Sequence, residues 1–373
     1  MNSFNAKNEI KKPSKILVVW KNLKVGGIVG GWRSRSVAFS QYGIQTEFLF
    51  LYDKGGSRLI EGIARYYVTN QRDKIVKLIQ ENKYDCIFVI DSNEMYSILA
   101  ESQYTGPIII ESRIPYKLRL KKELQGIKEI APSAFIVASE FQKSLVSKFI
   151  PGNLSIEVIP NTIDTGLFKP MNNMPRSSHK KIIAWIGRVS RGKNWRFFLE
   201  VVNEILKIRD DVHFWLITTR NSSIQLRLLK EKLEQMNITN HLSWFHNHFD
   251  YSMMPEVYSQ IAHSGGTLFS TTKRESFGNI FIEAMGCNCP VVAPNHSAIQ
   301  EIISHGQNGL LYNLKSKESA VQELNKILDN QVFRESIVNT ALEDVQEKYG
   351  VTGIFTLKYV NLIKNKKQTG LKK

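Results

Sequence analysis

Cysteine is scarce: the 373 residues hold three, Cys86, Cys287 and Cys289, the last two separated by a single position. A disulfide framework is therefore excluded as an organising principle, and the thiols are expected to be reduced. Long hydrophobic runs are also lacking. Stretches such as Ile16 to Trp20 and Ile182 to Ile186 are strand-sized, far below the roughly 18 residues that span a bilayer. Met1 to Lys15 is polar and lysine-bearing without an apolar core, so it does not read as a secretory signal, and a cytoplasmic location is expected. Glycine (23) and proline (11) are too few for a fibrous or disordered chain. No Asp-x-Asp occurs, and no histidine precedes His179.

Positive charge is what the chain has in excess. Lys and Arg number 50 against 34 acidic residues, a net charge of +16, which favours an anionic partner: nucleic acid, a membrane surface or a phosphorylated substrate. Residues 1–170 hold 24 basic and 16 acidic residues and the remainder 26 and 18, so each part carries +8. With no single basic module, nucleic acid is not the expected partner.

Strand-length apolar runs alternate with amphipathic helical stretches from end to end, the pattern of parallel α/β layers. In the first part the predicted strands are Lys15 to Trp20, Gln45 to Tyr52, Asp85 to Ile90, Pro107 to Glu111, Ala134 to Ser139 and Ile156 to Pro160. A polar stretch without periodicity, running from Asn161 past Pro170 and Pro175, reads as a linker. A second series follows: Ile182 to Gly187, Val212 to Thr218, Leu242 to Phe245, Thr267 to Ser270, Pro290 to Ala293 and Gly309 to Tyr312. Two doubly wound parallel-sheet domains are expected, residues 1–165 and 166–350, with ligands at the carboxyl ends of the strands in the cleft between them. Residues 351–373 read as a terminal helix with a basic end, able to pack back on the first domain. Its apolar face is Ile354, Leu357, Val360 and Ile363, and the stretch from Lys348 onward has seven lysines and no acid.

Three segments have residues suited to chemistry. Glu275, Ser276, Phe277, Gly278, Asn279, Ile280 and Glu283 follow a strand and open a helix. The unpaired NH groups of a helix start at Gly278 and Asn279 suit a diphosphate, and the two carboxylates suit sugar or ribose hydroxyls; solvated surface charges are the alternative. Gly187, Arg188, Val189, Ser190, Arg191, Gly192 and Lys193 place three cations around glycines at a strand's end, as a diphosphate leaving group requires; an ordinary basic loop is the alternative. Gly26, Gly27, Gly30 and Gly31 follow the first strand and read as a flexible substrate loop before a helix carrying Arg33 and Arg35. Ile28 stands where a dinucleotide fingerprint needs its second glycine, and Asp53 alone keeps an NAD-dependent oxidoreductase in play.

On these segments, together with Ile159 to Pro170 (IPNTIDTGLFKP) and Glu275 to Pro290 (ESFGNIFIEAMGCNCP), the chain resembles the family-four retaining glycosyltransferases of the GT-B fold, in which two Rossmann-like domains clamp a nucleotide sugar. The resemblance implies that Arg188 and Lys193 hold the donor diphosphate and that Glu275 binds the donor sugar. It also implies that Glu283 binds the ribose and that Gly26, Gly27, Phe277, Gly278, Asn279 and Ile280 lie against the donor. It implies a nucleotide-sugar co-substrate, UDP by default, with no required cofactor or metal, a hexose-type sugar, and front-face attack in which the departing phosphate takes the acceptor proton. Asn194 stands where the family more often has glycine. Many members place a histidine after the fourth strand of the first domain; here Glu111, Ser112 and Arg113 occupy that strand end and are the acceptor-side candidates. The basic run Arg113 to Lys128, interleaved with apolar residues, fits an anionic, glycan or lipid-linked acceptor, or peripheral contact with the inner face of a membrane. A solvated helix face is its alternative. His246 with His248, and Cys287 with Cys289, lack further ligands at zinc spacing. A non-catalytic polyanion-binding protein remains the other rival.

Overall fold

The computed structural model describes residues 13–171, 179–219 and 222–370, without the side chains of 366–370. The polar N-terminus to residue 12, the centre of the linker with Pro175, and the last three residues lie outside the described residues.

The first sheet has seven parallel strands: β1 (Ser14–Leu23), β2 (Ile44–Asp53), β3 (Arg65–Val68), β4 (Cys86–Ile90), β5 (Ile108–Glu111), β6 (Ala134–Val137) and β7 (Ile156–Val158), in the order β3-β2-β1-β4-β5-β6-β7. The second has six: β8 (Lys181–Gly187), β9 (Val212–Thr218), β10 (Leu242–His246), β11 (Thr267–Phe269), β12 (Val291–Pro294) and β13 (Leu310–Tyr312), in the order β10-β9-β8-β11-β12-β13. Central strands such as β4 and β6 are buried along their whole length, because helices cover both faces of a parallel sheet. β3 was not expected. It is a four-residue edge strand with Arg65 and Val68 exposed, too short and too wet to show an apolar run.

The helices of the first domain are α1 (Gly27–Ser40), α2 (Arg72–Glu81), α3 (Glu94–Glu101), α4 (Lys117–Glu123) and α5 (Glu140–Val146). The second domain has α6 (Trp195–Leu206), α7 (Ser223–Met236), α8 (Met254–His263), α9 (Asn279–Gly286), α10 (Lys317–Asp329) and α11 (Gln331–Asp344), and α12 (Ile354–Gly370) ends the chain. In each sheet the strand order reverses beside the first strand, between β1 and β4 and between β8 and β11. These switch points leave a crevice at the strands' carboxyl ends.

α12 returns to the first domain, where Tyr359, Val360 and Ile363 join the core formed by β1, β4 and α1. The predicted apolar face is half right: Val360 and Ile363 are buried, but Ile354 and Leu357 are 44% and 41% exposed. A repeat of three drifts off a helix of 3.6 residues per turn. The face that is buried is Thr356, Tyr359, Val360 and Ile363, spaced i, i+3, i+4 and i+7.

Candidate active site between the domains

Both switch-point loops of the second domain come together. The loop after β8 is laced to the loop after β11: Thr271 Oγ1 donates to the Lys193 carbonyl at 3.0 Å, Lys273 N donates to the Gly192 carbonyl at 2.8 Å, and Trp185 Nε1 donates to Thr271 Oγ1 at 2.8 Å. α6 begins at Trp195, after Asn194 in the left-handed region at φ 59°. That conformation favours glycine and tolerates asparagine, which explains the substitution seen in the sequence.

The loops carry the predicted charges. Lys193 Nζ donates to Glu275 Oε1, with the two side chains 24% and 16% exposed. Arg188 is exposed and lies near Lys24 of the other domain: burial first, then Arg188 and Arg119, push the Lys24 ammonium below its ordinary range. His296, which the sequence did not single out, sits behind Glu275. Its Nε2 meets the Thr272 carbonyl at 3.0 Å and its Nδ1 meets Ser297 Oγ at 3.1 Å, and Ser297 Oγ accepts from Glu275 N at 3.3 Å. Burial holds the His296 imidazole below its usual range. The β12 loop that brings it here had no motif to announce it.

In the segment after β11, Gly278 caps α9 at φ 112°, and a Cβ there would stand 2.6 Å from the Phe281 ring. Glycine is required at that turn. Phe277 is a core residue, 3% exposed and 5.9 Å from the Tyr349 ring, so only its backbone is available to a ligand. Ile280 and Asn279 are half-buried. Glu283 is 6% exposed; Oε1 accepts from Tyr251 Oη at 3.3 Å and Oε2 from Tyr258 Oη at 3.1 Å. Burial raises this carboxyl to about 7, against the two hydroxyls that lower it.

The first-domain glycines are not the loop that was expected. Gly26 caps α1 at φ 157°, and Gly27, Gly30 and Gly31 lie within the helix. Asp53 Oδ1 accepts from Gly55 N at 2.7 Å, closing its own turn. Helix α1 also holds Ile28 where the dinucleotide motif needs glycine, so the NAD reading gains nothing.

The acceptor-side candidates are corrected too. Glu111 and Ser112 are 0% and 1% exposed, and the Arg113 side chain is 6% exposed. Glu111 accepts from Arg35 Nη1 at 3.0 Å, Arg113 Nε at 2.6 Å and Trp32 Nε1 at 3.2 Å, while Arg113 Nη2 donates to Tyr359 Oη at 3.0 Å. Burial alone would raise the Glu111 carboxyl, but Arg113 and Arg35 hold it below its ordinary range. Two arginines and α12 seal this strand end, leaving no face for an acceptor.

Across the cleft the domains touch through polar contacts. Glu301 accepts from Glu140 N and Phe141 N at 2.7 and 2.8 Å, capping α5 from the other domain, and Ser139 Oγ donates to the Ser276 carbonyl at 2.8 Å.

Residues 180–330, within the second domain, match the family described as Glycosyl transferases group 1. Among the solved structures, the chain superposes on Anabaena HepE in complex with UDP and glucose with a TM-score of 0.80, covering 94% of this chain and 100% of that one at 17% identity. The chain has the GT-B fold, and its residues 180–330 carry the glycosyl transferases group 1 domain. Among curated relatives, the chain is 22% identical to sucrose synthase 2 of Oryza sativa subsp. japonica over 64% of its own length and 32% of that protein. It is also 22% identical, over 72% of its length and 73% of the relative's, to a Campylobacter jejuni N-acetylgalactosaminyltransferase that acts on a diphospho-undecaprenol-linked sugar. The chain thus spans about a third of the sucrose synthase it matches. No helix among the described residues is long and apolar enough to cross a membrane.

Proposed function

We propose that this chain transfers a hexose-type sugar from a nucleoside diphosphate, UDP favoured, to an acceptor hydroxyl with retention of anomeric configuration, in bacterial glycan or cell-envelope biosynthesis. The observation that carries the reading is the meeting of Lys193, from the loop after β8, with Glu275, from the loop after β11, at a switch point facing the first domain. Two loops that bind each other through Thr271 and Lys273 hold a cation and a carboxylate side by side without side-chain freedom to lose. Lys193 and Arg188 would stabilise charge on the departing diphosphate, and Glu275 would accept the sugar's hydroxyls. Glu283 would accept ribose hydroxyls through the lone pair that each oxygen keeps beside its tyrosine bond.

Front-face transfer asks the protein for positioning and electrostatics rather than a dedicated base, because the leaving phosphate receives the acceptor proton. The UDP of HepE and the lipid-diphosphate acceptor of the Campylobacter relative support the same donor and acceptor classes here. The exposed cations of α4 and Lys24 support an anionic or lipid-linked acceptor and peripheral membrane contact. Calorimetry against nucleoside diphosphates, followed by NMR assignment of the anomeric configuration of the product, tests the proposal. Binding of none of them, or a product of inverted configuration, would refute it.

A further inference from the structure

Gly27, Gly30 and Gly31 stand at i, i+3 and i+4 of α1, on one face of the helix. Glycine is a poor helix residue, so three on one face need a cause outside the helix. The cause is in the other domain. A Cβ at Gly30 would lie 3.1 Å from the Tyr251 ring, and one at Gly31 would lie 3.1 Å from Asn279 Nδ2 and 3.7 Å from Asn161 Nδ2. Asn279 is bonded into this seat: its Nδ2 donates to the Gly27 carbonyl at 2.9 Å and its Oδ1 accepts from Asn161 Nδ2 at 2.6 Å. Asn161 in turn accepts from Arg35, the buried arginine held by Glu111. Tyr251 packs on Phe168 of the linker, ring centroids 5.4 Å apart, and its hydroxyl reaches Glu283.

We propose that Asn279 and Tyr251 are positioning residues which, seated in the glycine face of α1, set the start of α9 and the Glu283 carboxylate in place only when the two domains are apposed. This rests on the reading of α9 and Glu283 as nucleotide-binding. First-domain glycines thereby act on the donor from beneath, through two second-domain side chains.

The test uses the full chain, small-angle scattering without nucleotide, and calorimetry with UDP as probe. Gly31→Ala favours the helix and keeps the fold, so any loss it causes comes from the seat; Gly31→Val enlarges the clash. Gly31→Val should expand the particle and weaken UDP about 10-fold, with Gly31→Ala between it and wild type. In an Asn279→Ala background, Gly31→Val should add no further expansion, because the contact is already gone. Tyr251→Phe keeps the ring against Gly30 but removes the hydroxyl's bonds to Glu283 and to Ser34 of α1, near Arg33; Glu283 then keeps Tyr258, with Cys287 behind it. It should expand the particle less than Gly31→Val does, because the ring contact stays, and raise the pH above which UDP binds. Scattering and affinity of Gly31→Val equal to wild type, or a Gly31→Val expansion undiminished in the Asn279→Ala background, overturns the proposal. If wild type binds no nucleoside diphosphate, the functional reading fails, and the scattering cycle alone decides whether Asn279 holds the domains together.

Discussion

Tyr258 donates its hydroxyl proton to Glu283 Oε2 at 3.1 Å, with both residues buried inside the second domain. A carboxyl raised to about 7 there keeps a proton in the folded chain that the unfolded chain has already lost at lower pH. Folded protein therefore binds more protons between the ordinary carboxyl range and pH 7, and stability falls as pH rises across that window. Asp91, raised to about 7 by burial despite its bonds from Ser112 and Arg113 N, acts in the same direction. Thermal unfolding of Glu283→Gln should show a shallower decline over this window than wild type. Parallel curves would mean that Glu283 is ionised throughout.

Nucleotide binding should run the opposite way over the same window, strengthening as pH rises, since the ionised carboxylate is the better acceptor for ribose hydroxyls. Well above pH 7, Glu283→Ala should weaken UDP by about 1.5–3 kcal/mol, the range for hydrogen bonds to a charged group. Unchanged affinity in calorimetry removes Glu283 from the nucleotide site.

The cations are expected to matter most when charge develops on the leaving group. Replacing Arg188 or Lys193 with alanine should lower turnover by roughly 100-fold or more, the scale for losing one preorganised donor. A variant that binds donor more weakly at wild-type turnover would assign these residues to binding alone. Lys193→Ala carries a second signature, because it also leaves Glu275 without its partner.

Glu111 tests the sealed strand end. It neutralises Arg35 and Arg113 where their side chains are 1% and 6% exposed, so Glu111→Ala should destabilise the chain by about 3–5 kcal/mol, the cost of breaking a buried ion pair from one side. Denaturant unfolding measures it. A loss under about 1 kcal/mol, typical of exposed pairs, would show that the cluster is not closed to water.

What the sequence disclosed and what it hid follow from the range of the forces involved. Strands such as β4 and β9 were legible because burial on both faces leaves an uninterrupted apolar run. The loops after β8 and β11 were legible as loops because short glycine and charge spacings reflect local backbone geometry. The glycines of α1 misled because propensity argued for a loop, while contact with Tyr251 and Asn279 of the other domain makes glycine the residue that fits in a helix. Glu111 misled for a similar reason. Arg35 lies 76 residues before it, and Tyr359, which Arg113 meets, is 246 residues beyond Arg113, so no local pattern could show that the strand end was covered.

The acceptor side rests on α4. Lys117, Arg119, Lys121 and Lys122 are exposed there, and Leu118 beside them is 88% exposed while Leu120 alone faces the core. A helix with one buried residue does little for the fold, which frees its outer face for a ligand. An anionic surface attracts each nearby Lys or Arg by about 1 kcal/mol, fading beyond a Debye length of about 8 Å at physiological salt. Replacing the four cations together with glutamine should therefore weaken sedimentation with anionic vesicles or raise the acceptor's KM, and leave UDP binding as it was. Wild-type behaviour in both assays at low salt would reduce α4 to a solvated face, and Lys24, a first-domain cation beside Arg188, would become the next residue to change.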